Sequence, residues 1–269
     1  MPELPEVETV VRTLEYQIQN AKIQSVEVCY PRIIDNVSSD DFSQLLVNQS
    51  FREFSRRGKY LLFTLDDYVL VCHLRMEGKF YVEPTRDLVN KHTHIIFTLD
   101  DGRYILYHDV RKFGRMYLYK KGEPLECLHK LGLEPWDVHL TVEYLKSKMR
   151  NEPIKSFLLD QSVICGIGNI YANEICFALG VLPSTNMNSL QDEVLQKLII
   201  ETQRILEEAI ACGGTTIRSY TSSLGVDGRF QISLMVHGRD KQACKVCHGE
   251  IKKVMLKGRG TYFCSGCQK

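Results

Sequence analysis

The sequence has almost no net charge, no long apolar run and no leader-like start. Each absence narrows what the chain can do. Over 269 residues, 34 Lys and Arg against 33 Asp and Glu leave a net charge of +1. That excludes a binder coated uniformly in basic charge. No apolar stretch approaches the ~18 residues of a membrane-crossing helix. The acidic, proline-containing start lacks the basic-then-apolar order of a secretory signal. Together these absences lead us to expect an intracellular protein with no membrane contact. We find no internal repeat, and the eight His residues form no metal-binding pattern.

What is present is unevenly placed. From Gln231 to Lys269 there are eight Lys or Arg against two acids, so this segment carries +6 and the rest of the chain −5. A basic tail on a slightly acidic body suggests a local anionic partner, with a solubilising tail as the alternative. The length favours two domains, and 44% hydrophobic residues suffice for a sizeable core.

The opening "MPELPEVETV" is too patterned for a fraying terminus. Val7, Val10, Val11, Leu14 and Ile18 follow helical spacing, with Pro5 suited to the first turn and Glu6 and Glu8 to its positive end. Next come predicted strands at 23–29, 60–65, 68–74, 94–99, 103–108 and 116–119, whose tight turns indicate a sandwich. Pro135 and Trp136 mark a linker, and Thr141 caps the first of four predicted helices, at 142–149, 154–161, 170–177 and 190–211. The Gly-, Ser- and Thr-rich stretch 213–228 reads as a long mobile loop of the kind that carries function. Short strands close the chain.

Cys244-x2-Cys247 and Cys264-x2-Cys267 stand sixteen residues apart. Four thiolates at this spacing read as a closed structural zinc site with no position left for an activated water; two disulfides are the alternative. The other six cysteines are scattered as in a reducing compartment. Within the cluster, "KGRGTYF" sets Arg259 between two glycines, suited to phosphate or to a solvated face. "GIGNIYANE" opens a helix with free N–H groups, an anion site to which Asn173 adds a donor. The preceding helix carries Lys155 and makes a helix–two-turn–helix unit. "RRGKY" places Lys59 at a strand start. "HLRMEG" and "HDVRKFG" put Met76 and Phe113 beside Arg75 and Arg111, suited to wedging a base stack or to core packing. His73 and His108 suit either a phosphate or the interior.

Taken together, MPELPEVET, RRGKY, HDVRKFG, DQSVICGIGNIYANE and KGRGTYFCSGCQK resemble the bacterial formamidopyrimidine-DNA glycosylase family from end to end. The resemblance implies an α+β fold: an N-terminal β-sandwich with flanking helices, then a helical domain with a helix–two-turn–helix, ending in a β-hairpin zinc finger. It divides the chain into a catalytic sandwich at 1–134, a linker and first helix at 135–150, a DNA-binding domain at 151–230 and the finger at 231–269. The implied activity is excision of oxidised purines, 8-oxoguanine and formamidopyrimidines, from duplex DNA with the lesion opposite cytosine. Strand cleavage by β,δ-elimination follows. The implied nucleophile is Pro2, freed by removal of Met1, with Glu3, Glu6 and Lys59 in catalysis. His73, Met76, Arg111, Phe113, Lys155, Asn173 and Arg259 are the implied DNA contacts. Glu77, Thr215, Ile217, Arg218, Ser219 and Tyr220 are implied at the flipped base. One structural Zn2+ on Cys244, Cys247, Cys264 and Cys267 is the expected cofactor, and a monomer at the bacterial nucleoid, in the cytoplasm, the expected setting. Val110 and Lys112 replace the Pro and second Arg common in the family's Asp-Pro-Arg-Arg-Phe-Gly motif. A pyrimidine-preferring sister branch resembling endonuclease VIII and a non-catalytic damage sensor are the rival readings; an N-terminal-proline tautomerase leaves the cysteine cluster and wedge loops unexplained.

Overall fold

The computed structural model describes residues 1–215 and 230–269. The chain divides into two compact units, one formed by Met1–His129 and the other by Lys130–Thr215 with the C-terminal segment.

The first unit starts with helix α1 (Leu4–Ile18), whose Val7, Val10, Val11, Leu14 and Ile18 are all buried. At ~1.5–3 kcal/mol for each fully buried aliphatic side chain, this face is the main reason the helix forms where it does. On its other side Glu8 bonds Arg12 at 2.8 Å and Arg56 at 2.9 Å, tying the helix to the first hairpin. The strands are β1 (Ile23–Val28), β2 (Glu53–Arg57), β3 (Tyr60–Thr64), β4 (Tyr68–His73), β5 (Lys79–Glu83), β6 (Thr93–Leu99), β7 (Tyr104–His108) and β8 (Arg115–Lys120), with helix α2 (Ser39–Leu46) between β1 and β2. They make two antiparallel four-stranded sheets, in the orders β1-β6-β7-β5 and β2-β3-β4-β8. Phe54, Leu61, Phe63, Leu70 and Met116 of one sheet share a core with Ile23, Phe80, Ile95, Phe97 and Tyr107 of the other. The expected sandwich is therefore present. α2, β2 and β5 were not expected, because the short, half-polar segments that form them carry weak periodicity.

The second unit contains α3 (Val142–Lys148), α4 (Ile154–Leu159), α5 (Asn169–Leu179) and α6 (Asp192–Ala211), then the hairpin β9 (Ile251–Leu256) and β10 (Arg259–Cys264). The α4–α5 turn is organised by Gln161. Its side-chain nitrogen donates to the carbonyls of Leu159 at 3.0 Å and Ile167 at 2.8 Å, and its oxygen accepts from Gly166 N–H at 2.9 Å. Gly180, at φ +73°, ends α5 in the left-handed conformation that suits a residue without a side chain. No helix among the described residues is long and apolar enough to cross a membrane.

Candidate functional site

At the start of the chain, Glu3 caps α1 and Glu6 lies in its first turn; both are buried. The Glu6 carboxylate accepts the Glu3 backbone N–H at 2.9 Å, while the Glu3 side chain accepts from the Glu6 N–H. This reciprocal capping fixes the peptide next to Pro2. Glu6 is thus a holder of the terminus, and Glu3 is brought within two residues of it in a defined conformation. Lys59 is also buried, in the two-residue turn between β2 and β3, where Gly58 takes the positive φ, +55°, that such a turn requires.

Two loops of the same unit carry the expected wedge residues. In the first, Arg75, Met76 and Glu77 are exposed. His73 beneath them is buried, stacks edge-on against Tyr60 and accepts the Arg75 backbone N–H on Nδ1 at 3.0 Å. Burial, then the nearby charges of Arg75 and Lys59, lower its pKa to about 3, so it is a neutral acceptor at working pH. In the second, Arg111 and Phe113 are exposed and the Arg111 guanidinium lies over the Phe113 ring, 4.7 Å from its centre. Asp109, fully buried, organises this loop. Its carboxylate accepts from Arg111 N–H at 3.0 Å and Gly114 N–H at 2.7 Å, and its carbonyl lies 2.7 Å from His94 Nε2. Lys112, which stands where the resemblance expects an arginine, turns the chain with φ +57° and lays its ammonium 4.6 Å from the Tyr30 ring centre. Met1, Arg75, Met76, Phe113 and Arg115 line one open cleft of about 390 Å³. The terminus and both wedge loops therefore face a common space.

In the second unit the tip of the β9–β10 hairpin is Lys257–Gly258, at φ +45° and +73°, and Arg259 follows it, exposed. Two residues expected at DNA are placed otherwise. Lys155 is 1% exposed and donates to the Gly260 carbonyl at 3.0 Å and Thr261 Oγ1 at 2.7 Å. It supports the hairpin that presents Arg259 and has no surface of its own. Asn173 is fully buried, lies 2.7 Å from His237 Nδ1 and accepts from Tyr262 N–H at 3.4 Å. It sits one turn into α5, on the face that packs on β10. The residue that sequence reasoning missed is Asn169, the first of α5, part-exposed, whose side chain donates to the Gly260 carbonyl at 3.1 Å. Its position directly after the Gly168 cap was the available signal. Glu174 was also missed. Its buried carboxylate accepts the N–H groups of Met235, Val236 and His237 at 2.7–3.0 Å.

Cys244, Cys247, Cys264 and Cys267 bring four sulfurs within 4.8 Å of one another. The pairs Cys247–Cys264 and Cys244–Cys267 lie at 3.3 and 3.8 Å, so neither is a disulfide. Four thiolates ~2.3 Å from a tetrahedral zinc would stand ~3.8 Å apart, so the cluster fits such an ion. Thr215 is buried. Ile217, Arg218, Ser219 and Tyr220 lie outside the described residues.

A β-sandwich followed by a helix–two-turn–helix and a four-cysteine hairpin defines the class. Two models of the formamidopyrimidine-DNA glycosylase family match, the N-terminal domain over residues 1–116 and the H2TH domain over 131–221. The chain is 45% identical over 273 residues to formamidopyrimidine-DNA glycosylase of Bacillus subtilis (strain 168), a match spanning 100% of this chain and 99% of that protein. It is 43% identical over 274 residues to the enzyme of that name from Listeria monocytogenes, with 100% of both covered. Among solved structures it resembles Lactococcus lactis Fpg (MutM) bound to DNA containing N7-benzyl-Fapy-dG, with TM-score 0.92, 37% identity and full coverage of both chains. A complex of the Lactococcus lactis protein with abasic-site DNA gives TM-score 0.92 and 38% identity over 99% of each chain. The chain belongs to the formamidopyrimidine-DNA glycosylase family.

Proposed function

We propose that this protein is a bifunctional DNA glycosylase and abasic-site lyase of base excision repair. It removes oxidised purines, 8-oxoguanine and formamidopyrimidines, lying opposite cytosine in duplex DNA. The observation that carries the reading is the cleft shared by the chain terminus, Met76 and Phe113, with buried Glu3 two residues away from the terminus.

In this reading Met1 is removed and the secondary amine of Pro2 is the nucleophile. An α-amine titrates near ~7.7–8.0, so a usable fraction is neutral at working pH, whereas a lysine would need a large downward shift. The amine attacks C1′ of the extruded nucleotide as the bond to the base breaks. The base leaves with that bond's electron pair and is protonated. Glu3 protonates the ring oxygen, the ring opens, and nitrogen and C1′ share an iminium. The iminium acidifies C2′–H; loss of that proton expels the 3′ phosphate, and a second elimination expels the 5′ phosphate. Water then releases the amine.

Extruding the nucleotide leaves a gap that Met76 and Phe113 fill, while Arg111 hydrogen-bonds the orphaned cytosine. Lys59 and Arg259 hold the backbone around the lesion. Asn169, at the N-terminus of α5, takes the phosphate contact expected of Asn173, because its side chain is at the surface beside the Arg259 hairpin. Lys155 acts through that hairpin, and His73 through the Met76 loop. Glu77 and the 215–220 stretch recognise the flipped base. One zinc on the four cysteines supplies folding energy to the hairpin and takes no part in the reaction. The protein acts as a monomer in the bacterial cytoplasm, at the nucleoid.

Borohydride treatment with an 8-oxoguanine:cytosine duplex tests the reading, since it reduces an iminium to a stable amine. The expected product is a covalent adduct on Pro2. An adduct on a lysine would overturn the nucleophile, and a protein that binds the duplex without any adduct would favour the damage sensor. Thymine glycol in the same assay separates the pyrimidine-preferring branch.

A further inference from the structure

One side chain lies against both wedge loops. Tyr107, in β7, is 1% exposed. A methyl group on Gly114 would stand 1.7 Å from its hydroxyl oxygen and 3.0 Å from Cζ, and one on Gly78 would stand 2.5 Å from the same oxygen. Neither glycine is among the positive-φ residues, so both are required for space and not for backbone conformation. Their places matter. Gly114 follows Phe113 and closes its loop by donating to Asp109 at 2.7 Å, while Gly78 lies two residues after Met76 and closes its loop by donating to the Leu74 carbonyl at 3.0 Å. A single hydroxyl is thus packed against the closing residue of each loop. Close-packed contacts of this kind transmit displacement, since neither loop can settle inward without moving the ring and through it the other loop.

We propose that Tyr107 is a positioning residue that sets the spacing between Met76 and the Arg111–Phe113 pair, and through it the choice of partner base. What the spacing achieves rests on the functional reading above; the coupling of the loops does not. Tyr107 is buried and acts only through them.

The chemistry of the two glycines supplies the test. In Gly114→Ala the intruding atoms around the new methyl are the Tyr107 oxygen at 1.7 Å, then Cζ at 3.0 Å and Asp109 Oδ2 at 3.2 Å. Tyr107→Phe removes the first and leaves two that a small shift relieves. In Gly78→Ala the Leu74 carbonyl at 2.7 Å remains whatever stands at 107. The variants Tyr107→Phe, Gly114→Ala, Gly78→Ala and the two doubles are compared in three measurements. These are thermal melting, the fluorescence of 2-aminopurine beside a tetrahydrofuran abasic analogue opposite cytosine, and the single-turnover ratio of 8-oxoguanine excision opposite cytosine to that opposite adenine.

Gly114→Ala should reduce the fluorescence rise and the excision ratio by roughly tenfold, the scale of a sub-ångström misplacement. Adding Tyr107→Phe should return both to the level of Tyr107→Phe alone. The same addition should leave Gly78→Ala unrescued. Rescue of melting without rescue of fluorescence would reduce Tyr107 to a core residue. No rescue of Gly114→Ala, or equal rescue of both glycine variants, would remove the coupling. A wild-type protein that binds the duplex but excises nothing would sink the functional reading alone, because fluorescence and melting still decide the coupling.

Discussion

Replacing Asp109 by Ala would test whether the Arg111–Phe113 loop is held by one buried carboxylate. That carboxylate accepts two backbone N–H groups, at 3.0 and 2.7 Å, and the residue has no exposed surface. Hydrogen bonds to a charged group contribute ~1.5–3 kcal/mol each, so the loop loses about 3–6 kcal/mol of local stability. The sandwich beneath can stay folded while the loop opens, which caps the global cost. Melting should fall by roughly 4–8 °C, as for a ~2 kcal/mol loss in a domain of this size. The loop itself should become largely disordered, because each ~1.4 kcal/mol shifts an equilibrium tenfold. Single-turnover excision opposite cytosine should drop by about two orders of magnitude. Asp109→Asn keeps one acceptor but turns an N–H2 toward a second N–H, so it should recover at most half of the lost stability. An Asp109→Ala protein with wild-type melting and wild-type excision would refute the reasoning.

The remaining predictions are shorter. Arg259→Ala should weaken duplex binding across sequences and reduce the slope of log affinity against log salt by about one, as a phosphate contact requires; an unchanged slope removes Arg259 from the interface. Cys247→Ser, or prolonged chelation, should release one bound zinc per chain by atomic absorption and abolish duplex binding. Binding that survives complete metal loss would show that the hairpin folds without it. For His73 the folded pKa is about 3 and the unfolded value about 6.5. Between these values the unfolded chain holds more protons, so the stability His73 confers is full above pH 6.5 and is lost as pH falls toward 3. From pH 6.5 to 5, urea unfolding of the wild type should lose about 1.6 kcal/mol more than that of His73→Gln; equal losses would place the imidazole in solvent.

Long periodic segments and special-geometry residues were legible in the sequence. The apolar face of α1, the β6–β7 turn with its Asp-Gly pair and the paired cysteines each carry their own physics within a few residues. The short strands β2 and β5 were not, because each is five residues long with a single fully buried position, too little alternation to mark a strand. Asn173 and Lys155 show the limit for the site. Both are polar, both lie beside a Gly-rich turn whose sequence suits an anion, and periodicity does not tell which side of a short helix a hairpin eighty or more residues later will cover. β10 covers the side that carries Asn173, and the Gly260–Thr261 pair takes the Lys155 ammonium. The residue one turn earlier, Asn169, is left at the surface.

These cases share a construction. Met76, Arg111, Phe113 and Arg259, assigned to DNA from the loops and the hairpin, are exposed, and a side chain in water does not hold one conformation for long. Each therefore has a buried polar neighbour that fixes the backbone beneath it, and buried Glu3 is held in the same way. Glu6 holds the peptide of Glu3, His73 that of Arg75 beside Met76, Asp109 those of Arg111 and Gly114, and Lys155 that of Gly260 beside Arg259. A buried polar group is costly unless its bonds are made, so the holder fixes the loop and the loop keeps the holder satisfied. In three of the four, actor and holder lie within five residues of each other, which is why ELPE, HLRME and DVRKFG are readable as short motifs. In the fourth the holder lies a hundred residues from the hairpin it supports, and no local pattern reveals it. On the proposed function the motifs are self-contained loop devices, in which the conspicuous residue is the one assigned to the substrate and the inconspicuous one sets where that residue is presented.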